Sequence, residues 1–179
     1  MKVETLDKLI EESKRVIEEK RPPLQSVVLA SLLASLERLG VLTQGTVGAL
    51  SNHFVPKLIA YFLVNGSVDP SKSLEENLKA MFEEFGFEEG TVEIKKGNDE
   101  VGVRVLTKKC RICPKQVGGA MIKGFACPIP YMIAIALTYF TREEWRPVPV
   151  RVGARLQLLE REGERCAMKV RKRTRGPLH

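Results

Sequence analysis

The sequence predicts an α+β fold in which N-terminal helices are followed by a β-hairpin, a buried helix and a second β-hairpin. The two hairpins are expected to form one antiparallel four-stranded sheet covered by the helices. Three observations carry this reading. Apolar residues recur at helical spacing through residue 86, alternation of apolar and polar residues takes over near residue 91, and an apolar run opened by proline separates the two alternating regions. With 179 residues, 44% of them hydrophobic, the chain has enough apolar surface for a core.

The elements follow in order. Val3, Leu6, Leu9, Ile10, Val16 and Ile17 mark an amphipathic first helix that must stop at Arg21-Pro22-Pro23, because consecutive prolines cannot continue a helix. Leu24, Val27, Val28, Leu32, Leu36 and Leu39 predict a second helix whose apolar stripe ends at Gly40. A third is expected from Thr46 to Asn65, bent or broken near Pro56, and a fourth from about Ser71 to Gly86. Thr91–Lys95 and Val101–Val105 alternate around Gly97-Asn98-Asp99, the pattern of a hairpin. Pro128–Thr141 is apolar nearly all round and reads as a buried helix. Val148–Val152, Ala154–Glu160 and Cys166–Val170, with Gly163 between the last two, supply the second hairpin.

Charge divides the chain unevenly. The net charge is +7, but residues 1–100 hold 12 Lys/Arg against 17 Asp/Glu, and residues 101–179 hold 17 against 5. The basic part also contains all four cysteines, Cys110, Cys113, Cys127 and Cys166. The N-terminus has acidic residues and no apolar signal-peptide core. Pro130–Phe140, the longest nearly apolar stretch, is too short to cross a bilayer, so a cytoplasmic chain with no membrane span is expected.

Cys110 and Cys113 form a Cys-x2-Cys pair, which in a reducing compartment points to metal or redox chemistry before a structural disulfide. Two sulfurs on one tight turn can grip a tetrahedral ion, and Cys127 and Cys166 can close a four-thiolate shell if the last hairpin packs back on the turn. Zinc is the default ion. Cys113-Pro114 and Cys127-Pro128 also admit an iron–sulfur cluster, although the spacing fits no ferredoxin pattern. A site using only some of these sulfurs, or small buried apolar cysteines without metal, are the competing readings. Lys108, Lys109, Arg111, Lys115, Lys123 and Arg165 lie near the cysteines in sequence and would offset the charge of bound thiolates.

The element order, Cys-Arg-Ile-Cys at 110–113, Gly124-Phe-Ala-Cys before the apolar helix, and the terminal Glu-Gly-Glu-Arg-Cys-Ala-Met-Lys-Val resemble the 4-vinyl reductase domain family. That family is a predicted hydrocarbon-binding group related to subunits of the TRAPP tethering complex. The likeness runs from Leu24 to Arg171. It implies a zinc-stabilised domain with an apolar cavity between helices and sheet, a small hydrophobic ligand, a sensor or regulatory role and a homodimer. Phe125, Tyr131, Met132 and Ile135 would wall such a pocket. One departure is clear: Leu158 and Arg155 stand where the family carries a cysteine and an acidic residue, so ligands must come from the Cys110/Cys113 pair.

By this reading residues 1–23 are a helical arm and candidate dimerisation element, 24–171 the main domain and 172–179 a basic tail. A closed four-thiolate shell leaves no open coordination position, which argues for binding over catalysis. Two alternatives stand beside it. A nucleic-acid-binding protein would use Lys169, Arg171, Lys172, Arg173 and Arg175, with little aromatic interleaving to stack bases. A thiol or iron–sulfur enzyme would use the cysteines themselves. His53, the one internal histidine, lies among Leu50, Phe54 and Leu58 and is expected to be a helix-surface or core residue.

Overall fold

The computed structural model describes residues 3–121 and 126–173. Four helices come first: α1 (Val3–Lys20), α2 (Leu24–Arg38), α3 (Gln44–Val64) and α4 (Leu74–Glu84). Then follow β1 (Val92–Lys96), β2 (Glu100–Leu106), a 3-10 turn (Thr107–Lys109), α5 (Ile129–Thr141) and the short strands β3 (Trp145–Pro147), β4 (Val150–Val152), β5 (Arg155–Gln157), β6 (Glu160–Glu162) and β7 (Arg165–Lys172). The protein is α+β, with an antiparallel sheet covered by helices.

The second hairpin is more divided than its sequence predicts. The main sheet runs β1-β2-β7-β3, and β6 also pairs with β7, giving five strands, while β4 and β5 form a separate two-stranded ribbon. Pro147 and Pro149 supply no backbone N–H, so a continuous ladder cannot pass through them. Gly153 and Gly163, at φ +60° and +57°, then turn the chain sharply.

The core lies between the sheet and α5. Val101, Val103 and Val105 of β2 and Met168 and Val170 of β7 point inward; α5 sets Ile129, Met132, Ile133, Ala136 and Leu137 against them. Leu78, Met81 and Phe82 of α4 and Val55, Ile59 and Phe62 of α3 complete the cluster. The fourth helix is shorter than expected because Ser73 caps it: its hydroxyl accepts from the Glu76 N–H while Glu76 accepts from the Ser73 N–H.

Of the two alternatives at Pro56, bent or broken, the break does not occur: α3 runs through it as one helix. At 21 residues it is also apolar and long enough to cross a membrane by length and composition, unlike the stretch at 130–140; here it packs against α5 with Val55, Ile59 and Phe62 in the core. On α2 the expected apolar stripe is not the buried face. Leu24, Leu32 and Leu39 are exposed, and the helix buries Ser26, Ala30, Leu33 and Ala34 instead. Small residues are needed there because the cysteine loop comes in close: a Cβ on Gly118 would lie 2.1 Å from the Ala30 carbonyl oxygen.

Candidate functional site

The cysteines sit where sheet, α5 and the loop after β2 meet. Cys110 ends the 3-10 turn and is buried; Cys113 opens the following turn, its carbonyl accepting from Gln116 and Val117 N–H. Cys127 immediately precedes α5 and is held through its backbone by Gln44 of α3, which donates from Nε2 to the Cys127 carbonyl at 3.1 Å and accepts the Cys127 N–H at Oε1 at 3.3 Å. Cys166 lies on β7, paired with Val105 of β2 on one side and Arg161 of β6 on the other. Its sulfur is 3.6 Å from the Thr107 hydroxyl. Three separate segments therefore bring the four thiols to one end of the core.

Their electrostatics are linked. The Cys110 and Cys113 thiols are hydrogen-bonded to each other, which holds the Cys110 proton in place and, with burial, pushes that thiol well above the ordinary range. The same bond pulls Cys113 down to about 6 against its burial, assisted by the Gln116 and Lys115 backbone N–H groups and the Lys20 ammonium. Burial pushes Cys127 and Cys166 up. A negative charge on Cys113 acts on all three other sulfurs. Neighbouring backbone N–H groups favour the thiolate at three of the four: that of Ile112 at Cys110, those of Gln116 and Lys115 at Cys113, and that of Ile129 at Cys127. All four thiols are free. As they stand, no three His, Cys, Asp or Glu side chains among the described residues enclose a metal-sized space.

The residues expected to wall a pocket separate. Tyr131 and Ile135 border a cleft of about 480 Å³ between α3, α5 and β3, with Asn52, Trp145, Pro147 and Leu158 around it. Met132 turns the other way, into the core beside Leu78, Met81 and Phe85. Phe125 lies outside the described residues. His53 is exposed on α3.

The basic stretch is largely paired within the chain. Lys169 and Arg171 reach Glu100 at 3.3 and 2.6 Å, Lys172 reaches Glu143 at 2.6 Å and Arg173 reaches Glu144 at 3.0 Å. Arg175 lies outside the described residues. Exposed pairs of this kind contribute little stability, but they occupy the cations that a phosphate backbone would need.

Sequence reasoning missed three residues at the thiols: Gln44, Thr107 and Lys20. Lys20, the last residue of α1, is buried and donates from Nζ to the Lys108 carbonyl at 2.5 Å. In sequence it is one more charged residue at the end of an amphipathic helix, with nothing to separate it from solvated lysines.

Fold and site together define an α+β domain with four clustered free thiols at one end of its core. Residues 40–172 match the MJ0207 family, and the chain belongs to it. The matched region includes all four cysteines and all of α3 to β7. The chain is also similar to an uncharacterized protein of Methanocaldococcus jannaschii, MJ1342, with 37% identity over 49 residues, 27% of this chain and 41% of that protein. The chain thus spans well under half of that relative's length. No solved structure matches.

Proposed function

We propose that the protein is a zinc-stabilised domain in which Cys110, Cys113, Cys127 and Cys166 hold the ion, with a sensor or regulatory role exerted through a small hydrophobic ligand. The observation that carries the metal reading is that four free thiols from the loop after β2, the start of α5 and β7 meet at one end of the core. Thiolates from separate segments are the donor set by which a structural zinc ties a fold together. Cys113, whose charge reaches the other three thiols, is the natural first ligand. Closing the shell would draw the sulfurs together more tightly than they stand. Bound zinc would supply structural cross-linking, tying the loop after β2, the start of α5 and β7.

The cleft bordered by Tyr131, Ile135, Trp145 and Pro147 is the place for the hydrophobic ligand, being mostly apolar with Asn52 and Arg146 at its margin. This function accords with the likeness to the 4-vinyl reductase domain family. The test is native mass spectrometry of the reduced full chain after exposure to zinc, which reports metal, subunit number and co-purified ligand together. One zinc per chain, lost in Cys113→Ser, is expected. Less than half an equivalent in the folded wild type would end the metal reading.

The hydrogen-bonded Cys110/Cys113 pair favours one second reading, a dithiol that exchanges with a partner disulfide. Cys113 would attack, a mixed disulfide would form, and Cys110 would displace the partner's sulfur, leaving a Cys110–Cys113 disulfide and a reduced partner. Rapid, stoichiometric reduction of a model disulfide by metal-free protein would favour this reading over zinc.

A further inference from the structure

The face of the sheet turned away from the core carries a gap that the fold does not need. Val101, Val103 and Val105 of β2 point inward, so Glu100, Gly102 and Arg104 point outward, and Gly102 leaves a gap between two long side chains. Glycine weakens a strand interior and is used there for a bulge, a positive φ or the close approach of another group. β2 pairs in continuous register with β1 and β7 through Gly102, which leaves no bulge. Its φ is not positive. A Cβ built there would meet nothing closer than the Lys95 carbonyl oxygen at 3.9 Å, so no neighbouring group among the described residues claims the space. What remains is the approach of a group from outside the chain. The gap opens into a cavity of about 330 Å³, floored by Gly102 and Ala167 and bordered by Val150 of the β4–β5 ribbon.

The charges around the gap select its occupant. Gly102 stands between Lys95 of β1 and Lys169 of β7, its cross-strand neighbours, and both lysines border the cavity. Lys95 has no ion pair among the described residues. Lys169 shares Glu100 with Arg171, reaching it at 3.3 Å against 2.6 Å for the arginine. Glu93 and Glu162 are held by Arg165 and Arg104. Glu160, the remaining carboxylate at the cavity, lies one row further along the strands, opposite Ala167. We propose that this groove binds a small organic anion, with its carboxylate or phosphate between Lys95 and Lys169 and its carbon body over Gly102 and Ala167. Repulsion from Glu160 keeps the anionic head at the lysine end. A cavity of this size takes a small molecule, not a helix or strand of another protein. The groove lies across the sheet from α5 and its cleft, so the proposal rests neither on the metal nor on the hydrophobic ligand.

The experiment is an NMR titration of the isotope-labelled full chain with hexanoate and, separately, with hexyl phosphate. Saturating shifts at the Gly102, Ala167 and Lys169 amides are expected, weakened by added salt, and the tighter probe identifies the headgroup. Acetate, with almost no carbon body, should bind about 10-fold or more weaker than hexanoate. Equal affinity for the two would overturn the placement of the carbon body. Lys95→Ala should weaken binding about 10-fold. Gly102→Val should fill the groove and abolish the shifts, yet melt no lower than the wild type, because the added Cβ has room and a β-branched residue suits a strand. A glycine kept for the fold would instead give a lower melting temperature, which would count against the proposal. Shifts that never saturate, that centre on Tyr131 and Ile135, or that survive in Gly102→Val would overturn it. So would shifts at the same amides on raising protein concentration alone, which would put a second copy in the groove. The wild-type titration needs no variant, so a misfolded Gly102→Val would not remove the test.

Discussion

Gly48 of α3 lies directly against the ring of Tyr131 on α5: a Cβ at position 48 would fall 2.5 Å from Tyr131 Cζ. The missing side chain lets the two helices approach and sets the ring at the edge of the cleft that it borders. Gly48→Ala should gain about 1 kcal/mol from helix propensity but lose about 1–3 kcal/mol to overpacking. A net fall in thermal stability is expected. The same substitution made in a Tyr131→Ala background should be neutral or stabilising, which a double-mutant cycle in chemical denaturation would reveal.

Gln44 holds Cys127 by two backbone hydrogen bonds that span 83 residues of sequence. Gln44→Ala would leave a part-buried N–H and carbonyl without that partner, at a cost of about 1–3 kcal/mol. If Cys127 is a ligand, zinc affinity should fall as well. A variant that loses stability while binding zinc as tightly as the wild type would remove Cys127 from the ligand set.

The metal-free protein should alkylate selectively at Cys113. Its hydrogen bond from Cys110 leaves the thiolate present above about pH 6, whereas Cys110 and Cys127 remain protonated. Carboxymethylation at Cys113 should therefore rise through a midpoint near pH 6, read by peptide mass spectrometry. Stability should move with it. Between the depressed folded pKa and the ordinary thiol value the unfolded chain binds the extra proton, so stability rises with pH in that window and is lost as pH falls through about 6. Above the ordinary thiol range the sign reverses, because raised Cys110, Cys127 and Cys166 favour the unfolded chain as it ionises.

Arg111, between the two cysteines of the pair, has a side chain only 6% exposed. Its Nη2 meets Glu88 at 2.6 Å, while Nε and Nη1 are buried without a hydrogen-bond partner among the described residues. Glu88→Ala should strand that charge and lower stability, though by less than breaking a fully buried pair would, because Glu88 is itself exposed. Arg111→Met removes the charge and its unmet donors together and should cost clearly less. Equal losses in the two variants, measured by urea denaturation, would contradict this account.

Local pattern alone was enough to determine the order of elements. The prolines at 22 and 23, the alternation from 91 to 105 and the apolar run after Pro128 act over a few residues, so helix, hairpin and buried helix were all legible. The Cys-x2-Cys pair was legible for the same reason. What faces what was decided only in three dimensions. The α2 stripe of Leu24, Leu32 and Leu39 has the right period for a core, yet Gly118 brings the cysteine loop onto the small residues of the other face. The last hairpin is interrupted locally at Pro147 and Pro149, but that β3 and β6 both join β7, which also pairs with distant β2, was settled only by the assembled sheet. Lys20 carries no local mark at all. Its ammonium is met by a carbonyl 88 residues away, and period, propensity and composition are blind to interactions at that separation.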